Sequence, residues 1–191
     1  MVKEPRPGRV KTRLGREIGM VPAAWWFRHQ TRSLLRRIRD PRWDIVLAVS
    51  PDREGLMSRV WQSDLPRWPQ GSGDLGQRMS RVMARAGSRV CVIGADIPGI
   101  KAQNIRRAFD LLGDHDAVFG PAPDGGYWLV GLKHSQPLPA GFLQNVRWST
   151  EFALEDSVRS LGSARLAFAD TLSDVDTAAD LAMTRRSARD T

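Results

Sequence analysis

The sequence predicts an α/β fold with a mostly parallel central sheet. Two observations carry that prediction. Short uninterrupted apolar runs, "WDIVLAVS", "RVCVIG", "DAVFG", "YWLVGL" and "ARLAFA", have the length and composition of strands buried on both faces. Between them, apolar residues recur three and four apart, the spacing of helices with one buried side. The chain has 191 residues, 41% of them hydrophobic, enough for one core, so residues 1–191 are read as a single domain.

In chain order, only Met1 and Val2 precede the opening loop "KEPRPGRVKTRLG". The first strand is therefore expected to be truncated, the chain beginning inside it, with unpaired ladder groups costing stability. A helix is expected over Val21–Ile38. Pro22 suits a first helical position, Phe27, Thr31, Leu34, Leu35 and Ile38 share a face, and Arg28, Arg32, Arg36 and Arg39 form a solvated stripe opposite. Trp43–Ser50 reads as a buried strand, followed by a short helix and the connection "WQSDLPRWPQ". Leu75, Met79, Val82, Met83 and Ala86 mark a second helix after "GSGDLG", with Asp74 placed to cap it. "RVCVIG" is a strand leading to Asp96, and Ile105, Ala108, Phe109 and Leu112 give a third helix. "DAVFG" and "YWLVGL" are strands flanking "PAPDGG". Ser149–Leu161 is expected to be helical with Ser149 as N-cap, "ARLAFA" is a late strand, and "TAADLAMTRR" is a closing helix that Asp176 or Thr177 would cap.

The formal net charge of +8 comes from 25 arginines and four lysines against 21 acidic residues. Two of the four lysines fall in the opening stretch, where a compact mobile ammonium differs from the rigid fork of arginine. A basic chain attracts polyanions, so a non-enzymatic nucleic-acid-binding module is the alternative of a different class; it predicts binding that falls steeply with salt and needs no divalent ion. A catalytically silent fold that keeps nucleotide binding is another. Cys91 lies alone in an apolar run and reads as a buried, inert thiol. No run approaches the ~20 apolar residues of a membrane span and no signal peptide is evident, so the expected location is cytoplasmic. His29, His115 and His134 lack partners at metal-ligand spacing. Absence of Gly-x-Ser-x-Gly, GxxxxGK[ST] and Gly-x-Gly-x-x-Gly weakens hydrolase, P-loop and dinucleotide readings.

In open parallel sheets, ligands bind where strands end and loops lead into helices. The opening loop follows strand one; its prolines fix a path, Gly8 permits close backbone approach, and Lys11, Thr12 and Arg13 supply donors suited to a di- or triphosphate. Asp96 follows directly on a buried strand and is a candidate Mg²⁺ or Mn²⁺ ligand, because such ions take one or two carboxylates and complete their shell with water and phosphate. Asp174 and Asp176 precede the last helix. Gly71, Gly73 and Asp74 offer backbone approach to a nucleotide. Asp124, with Gly125 and Gly126 giving access, is placed to accept a hydrogen bond from an acceptor hydroxyl, and Trp148, Ser149 and Thr150 would help line an acceptor pocket.

"KxPxPGxVKTRL", "QGxGDLGxRM", "IGADIP", "FGPAxDGGYWLVG", "WST" and "DVDT", in this order along nearly the whole chain, resemble a bacterial glycosyltransferase family. It is a domain-of-unknown-function family associated with radical-SAM/selenodomain proteins or arsenosugar biosynthesis, within the nucleotide-diphospho-sugar transferase superfamily. Lys11-Thr12-Arg13-Leu14 is more distantly similar to the lysine loop of 2-phospholactate guanylyltransferases, and "GADIP" with "DVDT" to molybdenum-cofactor nucleotidyltransferases. The resemblance implies a GT-A-like three-layer sandwich and phosphate binding by Lys3, Lys11 and Arg13. It implies metal binding by Asp96 and by Asp174 or Asp176. The expected partners are a nucleotide or nucleotide-sugar donor and a small acceptor, not nucleic acid. Lys11, Arg13, Asp96 and Asp124 are the expected catalytic residues. Glycosyl transfer and nucleotidyl transfer both stay open at this point.

Overall fold

The computed structural model describes residues 1–187 as an α/β fold. Strand β1 (Val2–Lys3) is followed by α1 (Thr12–Ile18), α2 (Met20–Arg37), β2 (Leu47–Ser50), α3 (Asp52–Leu56), β3 (Arg67–Pro69) and α4 (Leu75–Ala86). Then come β4 (Val90–Ile93), α5 (Ala102–Leu111), β5 (Ala117–Pro121), β6 (Tyr127–Leu132), α6 (Ala153–Arg159), β7 (Leu166–Phe168) and α7 (Ala178–Ser187).

One sheet has the order β1-β2-β3 and is wholly parallel, with Val2 opposite Val49 and Leu47 opposite Arg67. The second has the order β4-β6-β5-β7; β7 is parallel to β5, whereas β6 runs antiparallel to both its neighbours. The parallel expectation thus holds for the first sheet and fails at β6. A tight turn over residues 122–126 links β5 to β6, and a connection that short can only reverse the chain.

Successive strand residues enter different cores, which is why the apolar runs are continuous. Leu47, Val49, Val118 and Leu129 join Phe27, Leu34 and Leu35 of α2 and Ile105 and Ala108 of α5. Ala48, Phe119, Val130 and Leu132 join Met79, Val82 and Met83 of α4. The two sheets approach at Met1, whose ammonium donates to the Ile93 carbonyl at 2.6 Å. Beside this contact a cleft of about 970 Å³ lies between β2 and β4, lined by apolar residues such as Ile45, Ala48, Val82, Val92 and Phe109 and by charged ones such as Arg42, Asp44 and Arg106.

Several boundaries differ from the sequence expectation. The opening loop turns helical at Thr12, and Pro22 is the third residue of α2, not the first. The strand expected from Trp43 begins at Leu47, since backbone pairing with β3 starts there. The Trp/Pro-rich connection contains β3, whose Arg67 guanidinium is held by the carbonyls of Leu56, Ser58 and Trp61. Helix α6 starts at Ala153, because residues 149–152 form a turn in which Ser149 adopts φ 62 and does not cap.

Phe119 is fully buried and meets the Tyr127 ring edge-on at 5.2 Å. Phe119→Ala is expected to cost about 3–5 kcal/mol. Calorimetry should show a melting temperature lower by roughly 10 °C, given ~2–4 °C per kcal/mol for a chain of this size.

Candidate functional site

Lys11 is the N-cap residue of α1 and adopts the left-handed conformation, φ 46 and ψ 48. That backbone turns its side chain inward, where it is only 6% exposed. The ammonium lies 2.6 Å from Asp96 Oδ2, 2.6 Å from Asp176 Oδ1 and 3.6 Å from Asp174 Oδ2. Arg13, on the first turn of α1 and largely exposed, reaches Asp176 Oδ2 at 3.1 Å. Burial opposes the charge on Lys11, but Asp96 and Asp176 outweigh it and raise the ammonium above its ordinary range. Burial likewise works against ionised Asp176, yet the hydrogen bond from Lys11 and the charge of Arg13 bring its carboxyl below the usual range.

The expected capping role of Asp176 is taken by its neighbours. Thr177 and Asp180 bond reciprocally at the start of α7: the Thr177 amide and hydroxyl donate to Asp180 Oδ2 at 2.8 and 2.7 Å, and the Asp180 amide donates to Thr177 Oγ1 at 3.2 Å. Asp176 is thereby left to face Lys11. Asp96, Asp174 and Asp176 each present one carboxylate oxygen, and these oxygens lie within 4.8 Å of one another. Three hard oxygen donors could hold a metal ion, in the volume that the Lys11 ammonium takes here.

This cluster borders a cleft of about 820 Å³ that also contains Lys3, Thr12, Asp124, Gly126, Trp148, Ser149 and Thr150. Lys3 faces it from the end of β1 and pairs with no acidic side chain among the described residues. Asp124 lies in the β5–β6 turn, where its Oδ1 accepts from the Gly126 amide at 2.9 Å. Gly125 does not line the cleft but makes its wall possible. Its φ is +82, and a Cβ there would lie 2.1 Å from the Glu151 carbonyl oxygen, so only glycine lets this turn abut residues 148–152. Arg147 holds the other end of that wall: its guanidinium grips Asp156 at 2.8 and 2.9 Å and its amide donates to the same carboxylate at 3.0 Å, keeping Asp156 well below the usual carboxylate range.

Four more expected binding residues, besides Gly125, lie outside the cleft lining. Gly8 sits in an exposed turn over residues 6–9, where Arg6 and Arg9 pair with Glu54. Gly71 donates to Asp52 Oδ1 at 3.1 Å, and Gly73 carries the turn into α4. Asp74 forms a full capping box with Gln77 at 2.8 and 3.1 Å, which commits its Oδ1 to the start of α4. Conversely Arg9, Gln70, Leu75, Met79, Tyr127 and Glu151 line the cleft without having been singled out. Glu151, adjoining "WST", and Leu75, an apolar residue at a helix start, were the recoverable signals. Cys91 is partly buried and burial pushes its thiol up to about 12, which fits an inert side chain. No helix among the described residues is long and apolar enough to cross a membrane.

Residues 34–150 match the profile of a family described as "Uncharacterized protein conserved in bacteria (DUF2064)". No curated protein matches the chain. Among solved structures, the chain is similar to the crystal structure of a "putative nucleotide-diphospho-sugar transferase" from Desulfovibrio desulfuricans G20. The identity is 29% and the TM-score 0.83, covering 97% of this chain and 84% of that one.

Burial is the largest influence on Asp174 and, with nearby Asp176, Asp96 and Asp124, pushes its carboxyl up to about 6 against the pull of Lys11. A value raised on folding means the folded state holds the proton more tightly. The associated stability is complete below 3.8 and is lost as pH rises through about 6. Asp174→Asn is therefore expected to melt a few degrees above the native chain at pH 7.5, with the difference shrinking as the pH approaches 4, when both are followed by calorimetry.

Proposed function

The chain belongs to this bacterial family, and we propose that it is a divalent-metal-dependent transferase that moves a glycosyl group from a nucleoside diphosphate sugar to a small acceptor. The observation that carries the reading is the meeting of Lys11, Arg13, Asp96, Asp174 and Asp176 at the rim of a cleft that β1 and β4 both lead into. The name of the Desulfovibrio neighbour supports the nucleotide-sugar donor. Lys3, Thr12, Lys11 and Arg13 bind the diphosphate, and Asp96, Asp174 and Asp176 hold the ion. When bound, Mg²⁺ or Mn²⁺ neutralises charge developing on the leaving diphosphate.

The remaining work falls to this chain's own side chains. Cationic groups on the opening loop fix the diphosphate so that the anomeric carbon of the attached sugar is presented to the open side of the cleft, where its bond to the leaving diphosphate oxygen breaks as the acceptor hydroxyl attacks. Asp124 accepts a hydrogen bond from the attacking hydroxyl, oriented by the Gly126 amide that already holds its other oxygen. Trp148, Ser149 and Thr150 bound the acceptor, and Thr150 is fixed by donating to the Arg147 carbonyl at 2.7 Å. Gly71, Gly73 and Asp74 act on the nucleotide only indirectly, by setting the start of α4 from which Leu75 faces the cleft.

Nucleotidyl transfer is the second reading, favoured by the number of cations near β1. Lys3, Lys11 and Arg13 together suit a triphosphate. The two reactions differ in the bond broken, and hence in the product. Incubation with nucleotide sugars, nucleoside triphosphates and Mn²⁺ is expected to release a nucleoside diphosphate from a nucleotide sugar. Release of pyrophosphate from a triphosphate would assign the second reaction. Asp96→Asn is expected to lower metal-dependent turnover by about 100-fold or more; full turnover in that variant would remove Asp96 from the ion site.

A further inference from the structure

We propose that Lys11 is a tethered cation that fills the carboxylate triad until a nucleotide arrives, so that metal and nucleotide bind as a coupled pair. The inference rests on the metal-and-nucleotide reading above and concerns how that site is loaded. The Lys11 ammonium touches Asp96 and Asp176 at 2.6 Å and approaches Asp174 at 3.6 Å. A divalent ion bonds carboxylate oxygens at roughly 2.0–2.6 Å, so it would have to sit in the same small volume. Two cations cannot share it, because like charges at that separation repel strongly in a half-buried site. For the ion to enter, the ammonium must leave.

Leaving is unfavourable unless Lys11 finds another anion. Its side chain is 6% exposed, and its acidic contacts are the three aspartates themselves. Besides the triad the cleft holds Asp124 and Glu151, neither of which pairs with Lys11, and the cations Lys3, Arg9 and Arg13, which would hold a phosphate chain within reach of a flexible lysine stem. Diphosphate thus supplies the exchange partner that frees the triad. Arg13 cannot substitute as the plug, since its exposed guanidinium reaches Asp176 from outside. Because binding free energies are reciprocal, the factor by which nucleotide strengthens metal binding is also the factor by which metal strengthens nucleotide binding. Lys11 is on this view a positioning residue with two stations, carboxylates in the unloaded site and phosphates in the loaded one.

Mn²⁺ titration of the nucleotide-free chain, followed by the EPR signal of the free ion, is the test. Lys11→Met is expected to bind Mn²⁺ about tenfold or more tightly than the native chain. With saturating ADP, CDP, GDP or UDP, whichever binds, the two chains are expected to converge in Mn²⁺ affinity. Equal Mn²⁺ affinity of the native chain and Lys11→Met without nucleotide overturns the tethered cation and leaves the metal site standing. Absence of Mn²⁺ binding in both overturns the metal reading, and this inference with it. Lys11→Gln, which keeps a hydrogen-bond donor without the charge, takes the same comparison if circular dichroism shows Lys11→Met unfolded.

Discussion

The ammonium of Lys11 is the one charge on which the arrangement of the site depends. It joins Asp176, 165 residues away in sequence, to the opening segment, and brings in Asp96 from the end of β4. Three carboxylates whose oxygens lie within 4.8 Å would repel one another without a cation between them. Burial opposes the charges of Lys11, Asp174 and Asp176, so the group is not a source of stability in itself. It is an arrangement the fold tolerates because each charge offsets the others. Asp174, furthest from the ammonium, is the least well compensated and has the raised carboxyl.

That arrangement is possible only because neighbouring residues take over ordinary structural duties. Thr177 and Asp180 cap α7, which keeps Asp176 out of the cap. Asp74 and Gln77 do the same for α4, committing one carboxylate to structure near the cleft. Across the cleft the wall is built by backbone closeness: Gly125 against Glu151, the Leu154 amide donating to the Gly125 carbonyl at 3.0 Å, and Arg147 clamped to Asp156. The cationic side is thus held by charge and the opposite side by packing and hydrogen bonds.

The alternation of strands and helices was legible because strands buried on both faces write continuous apolar runs, and α4 and α5 write clear helical stripes. Helix α1 was not, since "TRLGREI" has a glycine in its middle and buries little beyond Leu14. Strand β3 was hidden for a different reason. Its three residues gain strand geometry from parallel pairing with β2, which no local pattern encodes. Candidate metal ligands were legible from their position at strand and helix ends, but their common partner was not. Lys11 read as a phosphate ligand on an open loop, whereas a positive φ turns it onto carboxylates at sequence separations that leave no periodic trace. Gly8, Gly71 and Gly73 read as points of close ligand approach, and in the structure all three take a positive φ in turns.

Charge balance explains why such a cluster would suit a pair of ligands better than either alone. With the three aspartates ionised, Lys11 and Arg13 leave it one negative charge in excess. A phosphate chain approaching by itself meets that excess and competes with carboxylates for the same two cations. A divalent ion approaching by itself meets oxygens already satisfied by an ammonium. Together they would reverse the sign: a divalent ion would take the whole cluster from one negative to one positive charge, freeing Lys11 and Arg13 to turn toward phosphate, with Lys3 beside them at the end of β1. On the proposed reading, the buried lysine that offsets the carboxylates of the cluster is the same group that would make it favour a metal and a diphosphate arriving together.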